Sequence, residues 1–144
     1  MKISTKGRYA LRFMLDLAVH EDKFIALKDV AQRQNISKKY LEQIVPLLNK
    51  SGMLITNRGY QGGYRLAKKP SEYSVGDILR ITEGSLAPVS CLDTDPILCE
   101  RNSACPTLDL WKGLYKVITD YLDSVTLQDI VDKYYNLSTD EYYI

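Results

Sequence analysis

Three cysteines, Cys91, Cys99 and Cys105, stand in the spacing C-x7-C-x5-C. A thiolate is both a soft metal ligand and a nucleophile, so three in one short stretch can hold a metal or an iron–sulfur cluster, or work as a redox switch. Structural disulfides belong to oxidising compartments, and the paired C-x2-C of zinc ribbons is absent. Three readings therefore stand: a cluster or metal site, a thiol redox switch, or inert cysteines. Polar neighbours (Asp93, Asp95, Glu100, Arg101, Asn102) argue against the last. The single histidine, His20, lies far away and reads as a charge at a helix C-terminus. No Ser/His/Asp or Cys/His/Asn arrangement can be built around it, and no carboxylate pair stands out, so the expectation is not an enzyme.

A second constellation is polar and basic: Ser37, Lys38, Lys39, Tyr40, Glu42 and Gln43. Hydroxyls and ammonium groups at the start of a helix suit phosphates or base edges. Glu42 is repelled by phosphate and helps only by accepting a hydrogen bond from cytosine N4; otherwise it pairs with a nearby lysine. A third constellation is Arg58-Gly59-Tyr60, followed by Gly62 and Gly63. Glycine lets a tight loop approach a duplex, and an arginine at its tip suits a narrow minor groove. A nucleotide-binding glycine loop would lead into a helix; this one joins two strands.

Net charge is only +1, but the halves differ. Residues 1–70 carry 14 Lys/Arg against 5 Asp/Glu, and residues 71–144 carry 5 against 13. Such asymmetry points to a polyanion-binding end and an end with another task. No apolar run is long enough for a membrane span, and Arg8 and Arg12 interrupt any secretory core. A cytoplasmic protein is expected.

The elements that must position these residues follow from periodicity. Leu11, Met14, Leu15, Ala18 and Val19 define a first helix, and Leu27 to Gln34 a second. Ser37 caps a third, with Tyr40, Leu41, Ile44 and Val45 inward and Lys38, Lys39, Glu42 and Gln43 outward. Pro46 predicts a kink, or an end and a fresh turn, before Gly52. Strands at 53–56 and 64–67 flank the glycine loop, and Ser74 to Thr82 forms a short helix. Residues 84–107 form a long cysteine-bearing loop. Beyond it, a helix from Pro106 to Val125 carries two apolar stripes. Trp111, Tyr115, Ile118, Leu122 and Val125 are expected to face a partner helix; Leu110, Leu114, Val117 and Tyr121 lie beside them. A short last helix starts at Thr126.

The order is that of a winged helix-turn-helix: mainly α, with a small β-hairpin wing and a long dimerisation helix. Its expected parts are a DNA-binding domain (1–83), a sensor loop (84–107) and a dimerisation helix with tail (108–144). At this point the chain resembles the winged-helix regulators typified by IscR, NsrR and CymR. The resemblance runs from residue 1 to about 133, carried by MKISTKGRYALRFMLDLA, ISKKYLEQIVPLL, RGYQGGYRL, SVGDILRITEG and SVTLQDIV. It implies a homodimer on near-palindromic promoter DNA and, in several members, an iron–sulfur cluster on three cysteines, here matched by Cys91, Cys99 and Cys105. It also implies DNA contacts from Lys39, Tyr40, Glu42, Gln43 and Arg58.

The chain departs from the pattern in three places. Leu108 replaces a histidine ligand of IscR-like members, Arg8 matches an NsrR-like aspartate, and the first cysteine gap is x7 rather than x5. The fourth ligand is thus open among Asp109, Thr107, Asp93, Asp95 and Glu100. A 2Fe–2S cluster is expected ahead of 4Fe–4S. The expected function is a DNA-binding repressor responding to that cluster. Its rivals are a thiol- or partner-responsive regulator without a cluster, and a zinc-containing adaptor that binds protein.

Overall fold

The computed structural model describes residues 2–94, 97 and 103–142; Cys99, Asp95, Glu100, Arg101 and Asn102 lie outside the described residues. Helix α1 (Thr5–Val19) is the hub of the molecule. The Ser4 hydroxyl accepts the Gly7 amide and fixes its start. Its Ala10, Phe13, Met14 and Leu17, three and four apart, are wholly buried. Helices α2 (Leu27–Gln34), α3 (Lys38–Lys50), α4 (Val75–Glu83) and α6 (Leu127–Tyr142) all pack on it.

The turn between α2 and α3 rests on Asn35, which takes the left-handed conformation at φ 53°. Asparagine tolerates that conformation better than most residues with a side chain. Its amide takes the Ala31 and Gln32 carbonyls, the chain reverses, and the Ser37 hydroxyl accepts the Tyr40 amide at 3.3 Å. Helix α3 is continuous through Pro46 to Lys50, so of the two expected outcomes the end and fresh turn does not occur. The carbonyl that Pro46 leaves without a partner is that of Glu42, and both residues lie on the exposed face, where water can serve it.

Strands β1 (Leu54–Asn57) and β2 (Gly63–Leu66) pair antiparallel in register Leu54↔Leu66 to Asn57↔Gly63, each one residue off the expected bounds. Ile25 adds an isolated bridge, exchanging hydrogen bonds of 2.8 and 2.9 Å with Tyr64. A 3-10 turn (Pro70–Glu72) leads into α4, capped by Ser74.

In the cysteine loop a second 3-10 turn spans Ser90–Leu92. Leu86 is buried with Val75 and Leu79, so the loop's entry belongs to a small second core. Helix α5 (Leu108–Ser124) begins two residues after Pro106. Helix α6 is longer than the short helix expected: Thr126 and Asp129 exchange hydrogen bonds of 2.9 and 3.1 Å as a capping box, and the turns then continue through the tyrosine-rich segment.

Of the two stripes of α5, the one expected to face a partner packs on its own chain. Tyr115, Leu122 and Val125 pack on the second core of their own chain. Leu110, Leu114, Val117 and Tyr121 are exposed. Among the described residues, no helix is long and apolar enough to cross a membrane.

Candidate nucleic-acid interface and cysteine loop

On α3 the first two turns present Lys38, Lys39, Glu42 and Gln43 outward, as the periodicity predicts, while Leu41, Ile44 and Val45 are buried beneath them. Ser37 is exposed at the cap. Lys38 Nζ lies 4.0 Å from Glu42 Oε1, the loose limit of an ion pair, and both side chains are more than half exposed. Such a pair contributes about 0–1 kcal/mol and leaves the carboxylate free to turn elsewhere.

Tyr40 is half-buried because its ring meets Tyr9 edge-on, with centroids 5.3 Å apart. The Arg12 guanidinium sits 5.3 Å from the Tyr9 ring centre and donates to the Gln34 carbonyl at the end of α2. Reading α3 by itself misses these supports. The signal was present in Tyr9 and Arg12, three apart and so neighbours on one face of α1.

Beneath the turn lies Asp16, which is buried. Arg33 donates to both its oxygens, at 2.7 and 3.0 Å, and Gln34 adds a third bond at 3.2 Å. The hydrogen bond to Asp16 holds the Arg33 guanidinium above its ordinary pKa range. His20 is the C-cap of α1, its Nδ1 donating to the Asp16 carbonyl at 2.8 Å. That placement agrees with a helix-terminal role.

The wing tip carries Arg58, Gly59 and Tyr60, all exposed, with Tyr60 wholly so. Its glycines divide their work. A Cβ on Gly62 would meet the Asn57 carbonyl at 2.5 Å, and one on Gly63 the Ile25 carbonyl at 2.3 Å. Gly62 lets the wing loop close on itself, and Gly63 lets the hairpin approach the Ile25 backbone. Gly59, at φ +119°, has open space around it. The wing is tied to α3 where Thr56 donates to the Asn49 side chain at 3.1 Å.

Below the hairpin the hydroxyl of Tyr73 donates to the Met53 carbonyl at 2.7 Å and accepts the Ala67 and Lys68 amides at 3.0 and 3.1 Å. Burial pushes its phenol pKa up, against those two amides, and keeps the donating proton in place.

Of the cysteines, Cys91 sits in the Ser90–Leu92 turn and Cys105 shortly before α5; both are half-buried and neither is in a disulfide. Cys105 Sγ lies 3.4 Å from Thr107 Oγ1. Asp93 accepts from Ser85 at 2.7 Å, and Asp109 is exposed in the first turn of α5. Leu108 is buried. Among the described residues no three His, Cys, Asp or Glu side chains form a metal-holding group. Cys91 and Cys105 match a cluster in donor type, as partly exposed thiols.

Three helices with a tight turn between the second and third, backed by a hairpin, define a winged helix-turn-helix, a fold that lays its third helix in a DNA groove. The family Rrf2, described as an iron-dependent transcriptional regulator, matches residues 3–133. Protein rrf2 of Nitratidesulfovibrio vulgaris is 39% identical over 132 residues, covering 91% of this chain and 87% of the relative. The structure of CymR, the global cysteine regulator of B. subtilis, superposes with TM-score 0.76 at 37% identity, over 92% of this chain and 98% of that one. IscR of T. potens does so with TM-score 0.74 at 39% identity, over 92% and 88%. The chain belongs to the Rrf2 family of transcriptional regulators.

Proposed function

We propose that the chain is a cytoplasmic, homodimeric repressor that binds double-stranded promoter DNA through α3 and the wing, and whose operator affinity responds to an iron–sulfur cluster on Cys91, Cys99 and Cys105. The observation that carries the DNA reading is the exposed row Lys38, Lys39, Glu42 and Gln43 on α3, with Arg58 at the wing tip, in the basic half of the chain. Ser37 caps the helix, Tyr40 braces it, and Gly59 and Tyr60 complete the wing's contact. The division into a DNA-binding part (1–83), a sensor loop (84–107) and a dimerisation part (108–144) follows from this. Leu110, Leu114, Val117 and Tyr121 form the apolar strip that a second copy covers.

A bound cluster supplies a centre whose redox or ligand state can change. Thiolates from the three cysteines hold it, and 2Fe–2S is preferred to 4Fe–4S. With the buried Leu108 unable to ligate, Thr107 and Asp109 are the side-chain oxygen donors that follow the third thiol most closely in sequence. A second reading, a thiol switch without a cluster, has its own support in the partial exposure of the Cys91 and Cys105 thiols and in the likeness to CymR.

Anaerobic purification separates the two. The cluster reading expects a brown protein with visible absorption, iron and sulfide, all lost in Cys91→Ala, Cys99→Ala and Cys105→Ala. A colourless wild type that never takes up iron overturns it in favour of the thiol switch.

A further inference from the structure

Tyr73 is 1% exposed, and its hydroxyl is filled: one proton donated and two amides accepted, the capacity of a phenol oxygen. Its partners are Met53, just before β1, and Ala67 and Lys68, just after β2, so one side chain holds both legs of the hairpin. The same residue faces the other way through its backbone. Its carbonyl accepts the Leu127 amide at 2.9 Å, and beside it the Val75 amide donates to Val125 at 2.8 Å. These two bonds fasten the corner between α5 and α6.

We propose that Tyr73 is the positioning residue of the wing: it sets the hairpin's angle against the α5–α6 corner and thereby places Arg58 relative to α3. The inference rests on the reading that the wing touches DNA. The lever is long. Arg58 lies four residues beyond Leu54, roughly 13 Å along the strand, so a tilt of about 10° at the base shifts the tip by roughly 2 Å. Such a shift separates a donor from its acceptor. The hairpin itself survives loss of the hydroxyl, because the Ala67 amide also reaches the Met53 carbonyl at 3.2 Å and the strand register is independent of Tyr73.

The test is a double-mutant cycle on a duplex that the wild-type protein selects from a random pool. Tyr73→Phe keeps the ring and removes the hydroxyl. It is expected to weaken binding about tenfold when Arg58 is present and less than twofold in an Arg58→Ala background, because the two act through one contact. An equal factor in both backgrounds means that Tyr73 acts elsewhere and overturns the inference. If Arg58→Ala alone binds as wild type does, the wing reading itself fails and the inference falls with it.

Hydrogen exchange of the free protein guards against a merely structural effect. In Tyr73→Phe the amides of 54–68 should exchange faster while those of α1 and α3 keep their protection. Uniform loss of protection would make Tyr73 a residue that holds the whole fold, and would equally overturn the proposal.

Discussion

Arg33 grips Asp16 with two parallel hydrogen bonds, Nη2 to Oδ1 at 2.7 Å and Nε to Oδ2 at 3.0 Å. The pair joins the end of α2 to the last turn of α1, immediately before the turn that launches α3. Its two members are unequally placed: the Asp16 side chain is 2% exposed and that of Arg33 39%. Asp16→Asn leaves a guanidinium that can reach water and should cost about 1–2 kcal/mol. Arg33→Met strands a buried carboxylate and should cost about 3 kcal/mol. Urea unfolding of the two variants checks the order, and equal costs would contradict the account.

Glu42 should read sequence rather than hold the fold. Its contact with Lys38 is too loose and exposed to stabilise α3 measurably. Glu42→Ala should leave the unfolding free energy within about 0.5 kcal/mol. It should relax the preference at one cytosine by about 1–3 kcal/mol while strengthening binding to unrelated duplexes. Affinities across a panel of single-base variants decide the matter; uniform weakening on every duplex would make the residue structural.

Much of this was legible in the sequence, because the core faces of α1, α2 and α3 repeat at helical spacing and Asn35, Ser37 and Gly52 punctuate them. Pro46 left the end of α3 open because local propensity cannot see that the Glu42 carbonyl it leaves unpaired lies on an exposed face. The two stripes of α5 are equally apolar, and only the packing of Tyr115, Leu122 and Val125 on Leu79 and Leu86 tells them apart. Tyr73 was invisible for a different reason: its partners lie 5 to 20 residues away and are backbone groups, which carry no residue signature. Cysteine spacing names candidate donors but carries no information on how far apart the sulfurs lie in the fold.

The exposed stripe of α5 should hold the dimer. Val117→Glu places a charge in its centre and should give folded monomers with lowered operator affinity, since two half-sites are no longer read together. Leu122→Glu should instead destabilise each chain, by about 2–3 kcal/mol, because that side chain packs on its own core. Light scattering combined with thermal melts separates the cases; a Val117→Glu protein that stays dimeric would place the interface elsewhere.

DNA affinity should fall steeply with salt, because the basic residues concentrate in the first 70. Each phosphate neutralised adds about 0.9 to the slope of log K against log salt on B-DNA. Replacing both Lys38 and Lys39 with Gln should lower that slope by roughly 1–2. A flat titration of the wild type would favour a protein-binding adaptor.

The most direct test of the account is one titration performed twice. A duplex selected by the wild-type protein is titrated anaerobically at fixed salt with the iron-loaded protein and with the same preparation stripped of iron under reducing conditions. The account predicts two affinities at least about tenfold apart, or about 1.4 kcal/mol, with the difference abolished in Cys91→Ala, Cys99→Ala and Cys105→Ala. Equal affinities for the loaded and stripped forms would contradict it.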